Sequence, residues 1–208
     1  MMISHEYRCI FVHIPRCAGT SIETWLCNQD WWEFEPHTKH LLASQAKELY
    51  ANWWDDYFKF AVVRNPIDRT RSCLHYSDYF GLRQTPSGIS FEEYHSHFGR
   101  DIVLEHDYRF SNRSELLNDR HQPNAVYCNI LNEPLDFIAR YEQLDEDMKF
   151  IEAKLGVSRP FNHWVEKSRD NHKLNERDIE AITKMYRLDF ERFGYAIDGA
   201  EYRLAITG

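Results

Sequence analysis

Residues 11–25 read FVHIPRCAGTSIETW, and this stretch decides both the fold and the chemistry of the chain. Its first residues close a strand predicted over residues 7–14, whose apolar centre is Cys9, Ile10, Phe11 and Val12. A short loop follows over residues 15–20, and a helix starts within residues 21–27. A strand–loop–helix of this kind aims backbone N–H groups at one point, and the helix dipole adds positive potential there. Gly19 allows either a close backbone approach or a positive φ. Thr20 and Ser21 add hydroxyl donors, and Arg16 adds a permanent cation with a planar donor fork. Arg16, Cys17, Ala18, Gly19, Thr20 and Ser21 are therefore the expected cradle of a phosphate or sulfate. The plain alternative is a helix cap beside a surface arginine.

The design is repeated downstream. Residues 57–63 (YFKFAVV) read as a buried strand rich in aromatic and β-branched residues. It runs into Asn65-Pro66, an N-cap and first-turn pair for a helix over residues 67–79. Arg64 stands at the strand end and Ser72 two turns into the helix. Arg69, Ser72 and Tyr76 share a helix face by their three- and four-residue spacings. Arg64 and Ser72 can grip one phosphate from two sides, each charge-assisted bond contributing roughly 1.5–3 kcal/mol. In an open parallel sheet, ligands bind outside the carboxyl ends of the strands. Two such ends suit a nucleotide with phosphates on both sides of its ribose.

A Walker A loop would place Lys after its second glycine. Here the cation precedes Gly19, and Arg64 stands where a magnesium-binding carboxylate would be expected. The charges do not suit a metal-chelated triphosphate, and no metal site is expected.

The 208 residues fit a single domain, 1–208, long enough to bury a core. A hydrophobic fraction of 43% argues for a globular chain rather than a disordered one. The net charge of −8 argues against nonspecific binding to nucleic acid or anionic membranes. Five cysteines without a CxxC pair argue against a disulfide framework or a zinc site, and for a reducing compartment. No stretch approaches the ~20 apolar residues of a membrane span. The expectation is a soluble, cytoplasmic protein, with no oligomeric state implied.

Elsewhere, residues 43–50 and 91–98 read as helices, and residues 85–90 as a loop. Residues 125–130 and 137–141 read as short strands. Residues 145–155 form an amphipathic helix with Gly156 as C-cap. Residues 176–193 read as one helix, with Ile179, Ile182, Met185 and Tyr186 at helical spacing. Strands alternating with helices predict an α/β layer fold around a parallel sheet.

HIPRCAGTS resembles the 5′-phosphosulfate loop of sulfotransferases, above all the HIPKTAGTS pattern of the carbohydrate (family 2 type) branch. Residues 60–76 (FAVVRNPIDRTRSCLHY) resemble that family's 3′-phosphate motif. Lys39-His40 is similar to its K-H segment. Arg140 to Leu144 is similar to its R-x-E-x-L stretch, and residues 186–195 to its Y-x-x-D-F-E-x-F-G-Y ending. The likeness spans nearly the whole chain. It implies a P-loop-like three-layer fold with a central, mostly parallel sheet flanked by helices. It also implies transfer of a sulfuryl group from 3′-phosphoadenosine-5′-phosphosulfate (PAPS) to a hydroxyl, with no metal. Arg16, Thr20, Ser21 and the loop amides would then hold the 5′-phosphosulfate, and Arg64 and Ser72 the 3′-phosphate.

Arg16 and Cys17 replace the family's Lys and Thr. Arginine stabilises charge on the leaving oxygen but does not give up its proton. Residues 161–168 match the family's late H-x-N-x-S segment poorly, with Ser168 a candidate for its serine. His40 is the expected general base, with His37 as the alternative; His13 reads as structural. Trp25, Trp31, Trp32, Trp53 and Trp54 read as core rather than a sugar platform, and Tyr79 and Phe80 as candidates for an acceptor cleft. The resemblance favours a carbohydrate hydroxyl, but a small alcohol, phenol or peptide tyrosine fits the same chemistry. Two rivals are a non-catalytic binder of adenosine bisphosphate and a P-loop-like small-molecule kinase.

Overall fold

In the computed structural model the described residues are 2–28, 38, 40–79, 127–161 and 173–196, with no side-chain description at residues 2 and 74–79. Strands β1 (Met2–Ser4), β2 (Cys9–Val12), β3 (Phe58–Val63) and β4 (Phe137–Arg140) form one sheet in that order. β2 runs parallel to β3, from Cys9 opposite Phe58 to Val12 opposite Ala61. β3 runs parallel to β4, from Phe60 opposite Phe137 to Val63 opposite Arg140. This register sets the carboxyl ends of β2 and β3 side by side. All four residues of β2 are fully buried, as expected for a strand covered on both faces. β1 is an antiparallel edge strand on β2; three residues are too few for a period-2 pattern to reveal it in the sequence.

The helices are α1 (Gly19–Cys27), α2 (Ala43–Leu49), α3 (Ala51–Trp54), α4 (Pro66–Tyr79), α5 (Tyr127–Ile130), α6 (Leu144–Leu155), α7 (Glu176–Met185) and α8 (Arg187–Phe193). A 3₁₀ turn over Tyr141–Gln143 joins β4 to α6. The result is a mixed α/β fold, a mostly parallel four-stranded sheet flanked by helices. Local chemistry accounts for the boundaries. The Asn65 side-chain oxygen accepts from the Ile67 amide at 2.9 Å, with Pro66 in the first helical position of α4. Gly156 closes α6 at φ 67°. Asn175 and Asp178 cap α7 reciprocally, at 2.9 and 3.0 Å.

Two expectations fail. The described part of 125–130 is helix, not strand. Its N-terminal amides, from Tyr127 and Cys128, donate to the Asp189 carboxylate at 3.1 and 2.9 Å. A cap supplied by a distant carboxylate overrides the β-propensity of the segment. The helix predicted over 176–193 breaks at Tyr186 (φ −110°, ψ 23°). The break turns α8 so that Asp189 reaches α5 while Phe190 and Phe193 remain buried. The predicted loop 85–90 and helix 91–98 lie outside the described residues.

The core is built around Phe11 and Phe60, whose ring centroids are 5.0 Å apart. Trp25 and Trp54 are buried in it and Trp53 packs at its margin, whereas Trp31 and Trp32 lie outside the described residues. All five cysteines are free. Among the described residues, no helix is long and apolar enough to cross a membrane.

Candidate active site

The loop between β2 and α1 is wound tightly by residues that are not glycine. Arg16 (φ 62°) and Ala18 (φ 61°) both adopt the left-handed conformation. For L-residues this costs on the order of 1–2 kcal/mol each, strain of a kind that gathers at functional loops. Gly19 does not share it; its role is close approach. A Cβ there would stand 1.8 Å from His13 Nε2. Ala18, the N-cap of α1, offers no side-chain oxygen, and the first turn holds no acidic residue. The positive end of the helix dipole points at the loop.

Each predicted residue can now be located. Arg16 and Thr20 are half-buried, and Gly19 and Ser21 are buried. The Cys17 side chain turns into the core, and burial pushes its thiol up to about 12. Cys17 can offer a ligand only its backbone. Arg16 reaches across to the second motif, donating from Nε to the Ser72 hydroxyl at 3.1 Å. Arg64 donates from Nη1 to the Arg16 carbonyl at 3.4 Å. Arg16, Arg64 and Ser72, read in the sequence as two separate anion sites, thus meet in one cluster at the adjacent ends of β2 and β3.

Several residues behind this cluster hold it. Arg69 is almost fully buried and donates from Nε to the Pro15 carbonyl at 2.8 Å. It braces the loop from α4. Its guanidinium lies 5.3 Å from the ring centre of Tyr127. The Tyr127 hydroxyl donates to the Arg64 carbonyl. Burial raises that phenol well above its usual range, so it stays a donor at neutral pH. The Arg64 guanidinium lies 4.2 Å from the ring centre of Tyr141, within cation–π range. Glu142 accepts from the Asn65 amide at 2.6 Å and from the Tyr195 hydroxyl at 3.1 Å.

A second cluster packs His13, just before the loop, against Glu23 of α1 and against His40. His13 and Glu23 are buried, with His13 Nδ1 2.6 Å from Glu23 Oε1. His40, also buried, donates from Nδ1 to the His13 carbonyl at 3.2 Å, and the two rings meet edge to face at 4.5 Å. His37, Lys39, Phe80 and Ser168 lie outside the described residues, as do the side chains of Tyr76 and Tyr79.

Residues 1–196 match the model of the sulfotransferase family. The chain belongs to that family. Among curated proteins, carbohydrate sulfotransferase 14 of Danio rerio is similar to this sulfotransferase-family chain, 23% identical over 232 residues. The match covers 95% of this chain and 62% of that protein, so the chain spans less than two thirds of its relative's length. No solved structure matches this member of the family to the same standard.

Sequence reasoning missed the supporting roles of Tyr127, Tyr141, Glu142 and Glu23. The R-x-E-x-L likeness marked the stretch holding Tyr141 and Glu142, although not what they touch. Nothing local marked Tyr127, whose segment reads as strand. Glu23 is one helical turn beyond Gly19, and a carboxylate on that face of α1 facing His13 was a signal available in the sequence. Among the described residues, no group of three or more His, Cys, Asp or Glu could hold a metal ion.

Proposed function

We propose that this chain transfers a sulfuryl group from PAPS to a hydroxyl, with a carbohydrate as the leading acceptor class. The observation that carries the reading is the convergence of Arg16, Ser72 and Arg64 at two adjacent strand ends. Two fixed cations, a hydroxyl and the N-terminus of α1 match a ligand with one anionic group on each side of a ribose. The close contact of Gly19 with His13 keeps that helix end bare of side chain, which also fits an anion resting against backbone.

In this reading Arg16, Thr20, Ser21 and the amides of Cys17, Ala18 and Gly19 hold the 5′-phosphosulfate. Arg64 and Ser72 hold the 3′-phosphate. The acceptor oxygen attacks sulfur in line. One S–O bond forms as the bridging S–O bond to phosphate breaks, and adenosine 3′,5′-bisphosphate leaves. Arg16 stabilises charge on the leaving oxygen as a preorganised cation without supplying a proton. His40 takes the acceptor's proton, a contribution typically worth ~10²–10⁴ in rate. The parallel β2–β3–β4 core with an anion loop after β2 supports a P-loop-like three-layer arrangement. The relative's name, carbohydrate sulfotransferase 14, supports a sugar hydroxyl as acceptor. Five free cysteines support a reducing, cytoplasmic setting.

The test is a thermal shift with adenosine 3′,5′-bisphosphate against ATP with magnesium. Selective stabilisation by the bisphosphate, lost in Arg64→Ala, is expected. No shift at saturating bisphosphate overturns the reading, and stabilisation by ATP with magnesium alone favours the kinase. Arg16 in place of lysine keeps one second reading in view, a binder that does not turn over. Bisphosphate binding without PAPS consumption across an acceptor panel would favour it.

A further inference from the structure

The mechanism above uses His40 but leaves two buried titratable neighbours, His13 and Glu23, without a task. We propose that Glu23 and His13 are positioning residues that fix the tautomer and orientation of His40, an inference resting on His40 as the base.

A carbonyl oxygen only accepts hydrogen bonds, so the 3.2 Å contact to the His13 carbonyl requires a proton on His40 Nδ1. In the neutral ring the basic lone pair is then on Nε2. The same logic holds one residue back. An ionised Glu23 carboxylate can only accept, and with it His13 Nδ1 carries the proton in the 2.6 Å contact.

The orientation of His13 is fixed from three directions. Glu23 binds its Nδ1, Phe11 stacks on it at 5.6 Å and 28°, and the bare Gly19 backbone presses on its Nε2 edge. The ring so held meets the His40 ring at 4.5 Å and 68°, while the same residue's carbonyl holds His40 Nδ1. His13 therefore touches His40 through both side chain and backbone. Glu23, from α1, is what keeps the His13 side chain in place.

The experiment is long-range ¹H–¹⁵N correlation of the histidine rings in the full chain, free and with adenosine 3′,5′-bisphosphate. The unmodified protein should show His40 with its proton on Nδ1 alone. Glu23→Gln, whose amide oxygen still accepts from His13, should keep that signature. Glu23→Leu, which frees the His13 ring packed against His40, should shift and broaden the His40 ring signals, while the bisphosphate still binds. A His40 proton on Nε2 in the unmodified protein overturns the inference, whether or not Glu23→Leu folds. So do unchanged His40 ring signals in a folded Glu23→Leu. Failure of the unmodified protein to bind the bisphosphate overturns it by a different route, because the sulfotransferase reading falls first.

Discussion

Replacing Gly19 by alanine tests the packing on which both clusters depend. The added Cβ would lie 1.8 Å from His13 Nε2, 2.1 Å from Cδ2 and 2.3 Å from Cε1, whereas ordinary contact begins at 3.4 Å. The ring would have to retreat by about 1.6 Å. It has little room, being stacked on Phe11 and bound to Glu23 at 2.6 Å. A movement of that size breaks the His13–Glu23 contact, in which both partners are buried. Overpacking costs about 1–3 kcal/mol, and breaking a buried pair about 3–5 kcal/mol. Because either response can relieve the clash, a total near 3 kcal/mol is expected, or a Tm lower by roughly 6–12 °C for a domain of this size. Urea denaturation and calorimetry of Gly19→Ala would measure it. The decisive control is the double variant His13→Ala with Gly19→Ala, in which the missing imidazole makes room. The double variant should be clearly more stable than the sum of the single losses. A Gly19→Ala cost below about 1 kcal/mol, or strict additivity in the cycle, would refute the close-approach argument.

Other outcomes follow from the same contacts. His40→Ala should abolish transfer while leaving the thermal shift with adenosine 3′,5′-bisphosphate intact; near-normal turnover would reject His40 as base. Tyr127→Phe removes the hydroxyl that donates to the Arg64 carbonyl and should cost about 1–3 kcal/mol by denaturant titration. The buried thiols of Cys9 and Cys17 are both pushed up to about 12 from an ordinary 9.0, chiefly by desolvation. The folded state therefore holds these protons more tightly than the unfolded chain. Their contribution is intact below pH 9 and is lost as pH rises toward 12, at up to about 1.4 kcal/mol per pH unit per thiol. A melting temperature that does not fall between pH 9 and 11 would contradict this. Alkylation of the native protein at neutral pH should reach the half-buried Cys27 before Cys9 or Cys17.

The parts of the fold written in local sequence were readable. Cys9–Val12 is an apolar run and Phe58–Val63 is apolar but for Lys59, and both are strands. Asn65-Pro66 and Gly156 mark helix ends by their own conformational preferences. The parts that depend on distant partners were not. α5 is a helix because Asp189 caps it, and the break at Tyr186 serves that contact. The candidate site divides in the same way. Arg16, Arg64 and Ser72 could be picked out by residue type and spacing, but not the 3.1 Å bond that merges them. Arg69 is a further case: its spacing placed it on one helix face with Ser72, but gave no sign that its Nε donates to the Pro15 carbonyl. Side-chain reach across a sheet end has no periodicity to reveal it.

The Asp189 cap also bears on the order in which the molecule is made. Asp189 is separated from Tyr127 by 62 residues, and Tyr127 from Arg64 by 63. Contacts this remote in sequence close loops at an entropic cost that delays them. During synthesis both anion loops are translated well before Asp189 exists, so α5 and the Tyr127 hydroxyl cannot yet be locked beneath Arg64. The region around Arg64 is therefore among the last to be completed. A nascent or C-terminally truncated chain would have its strands in place while α5, which carries Tyr127, still lacked its Asp189 cap. A ligand that grips Arg64 would then bind only the finished fold, and would act on the late steps of folding rather than the early ones.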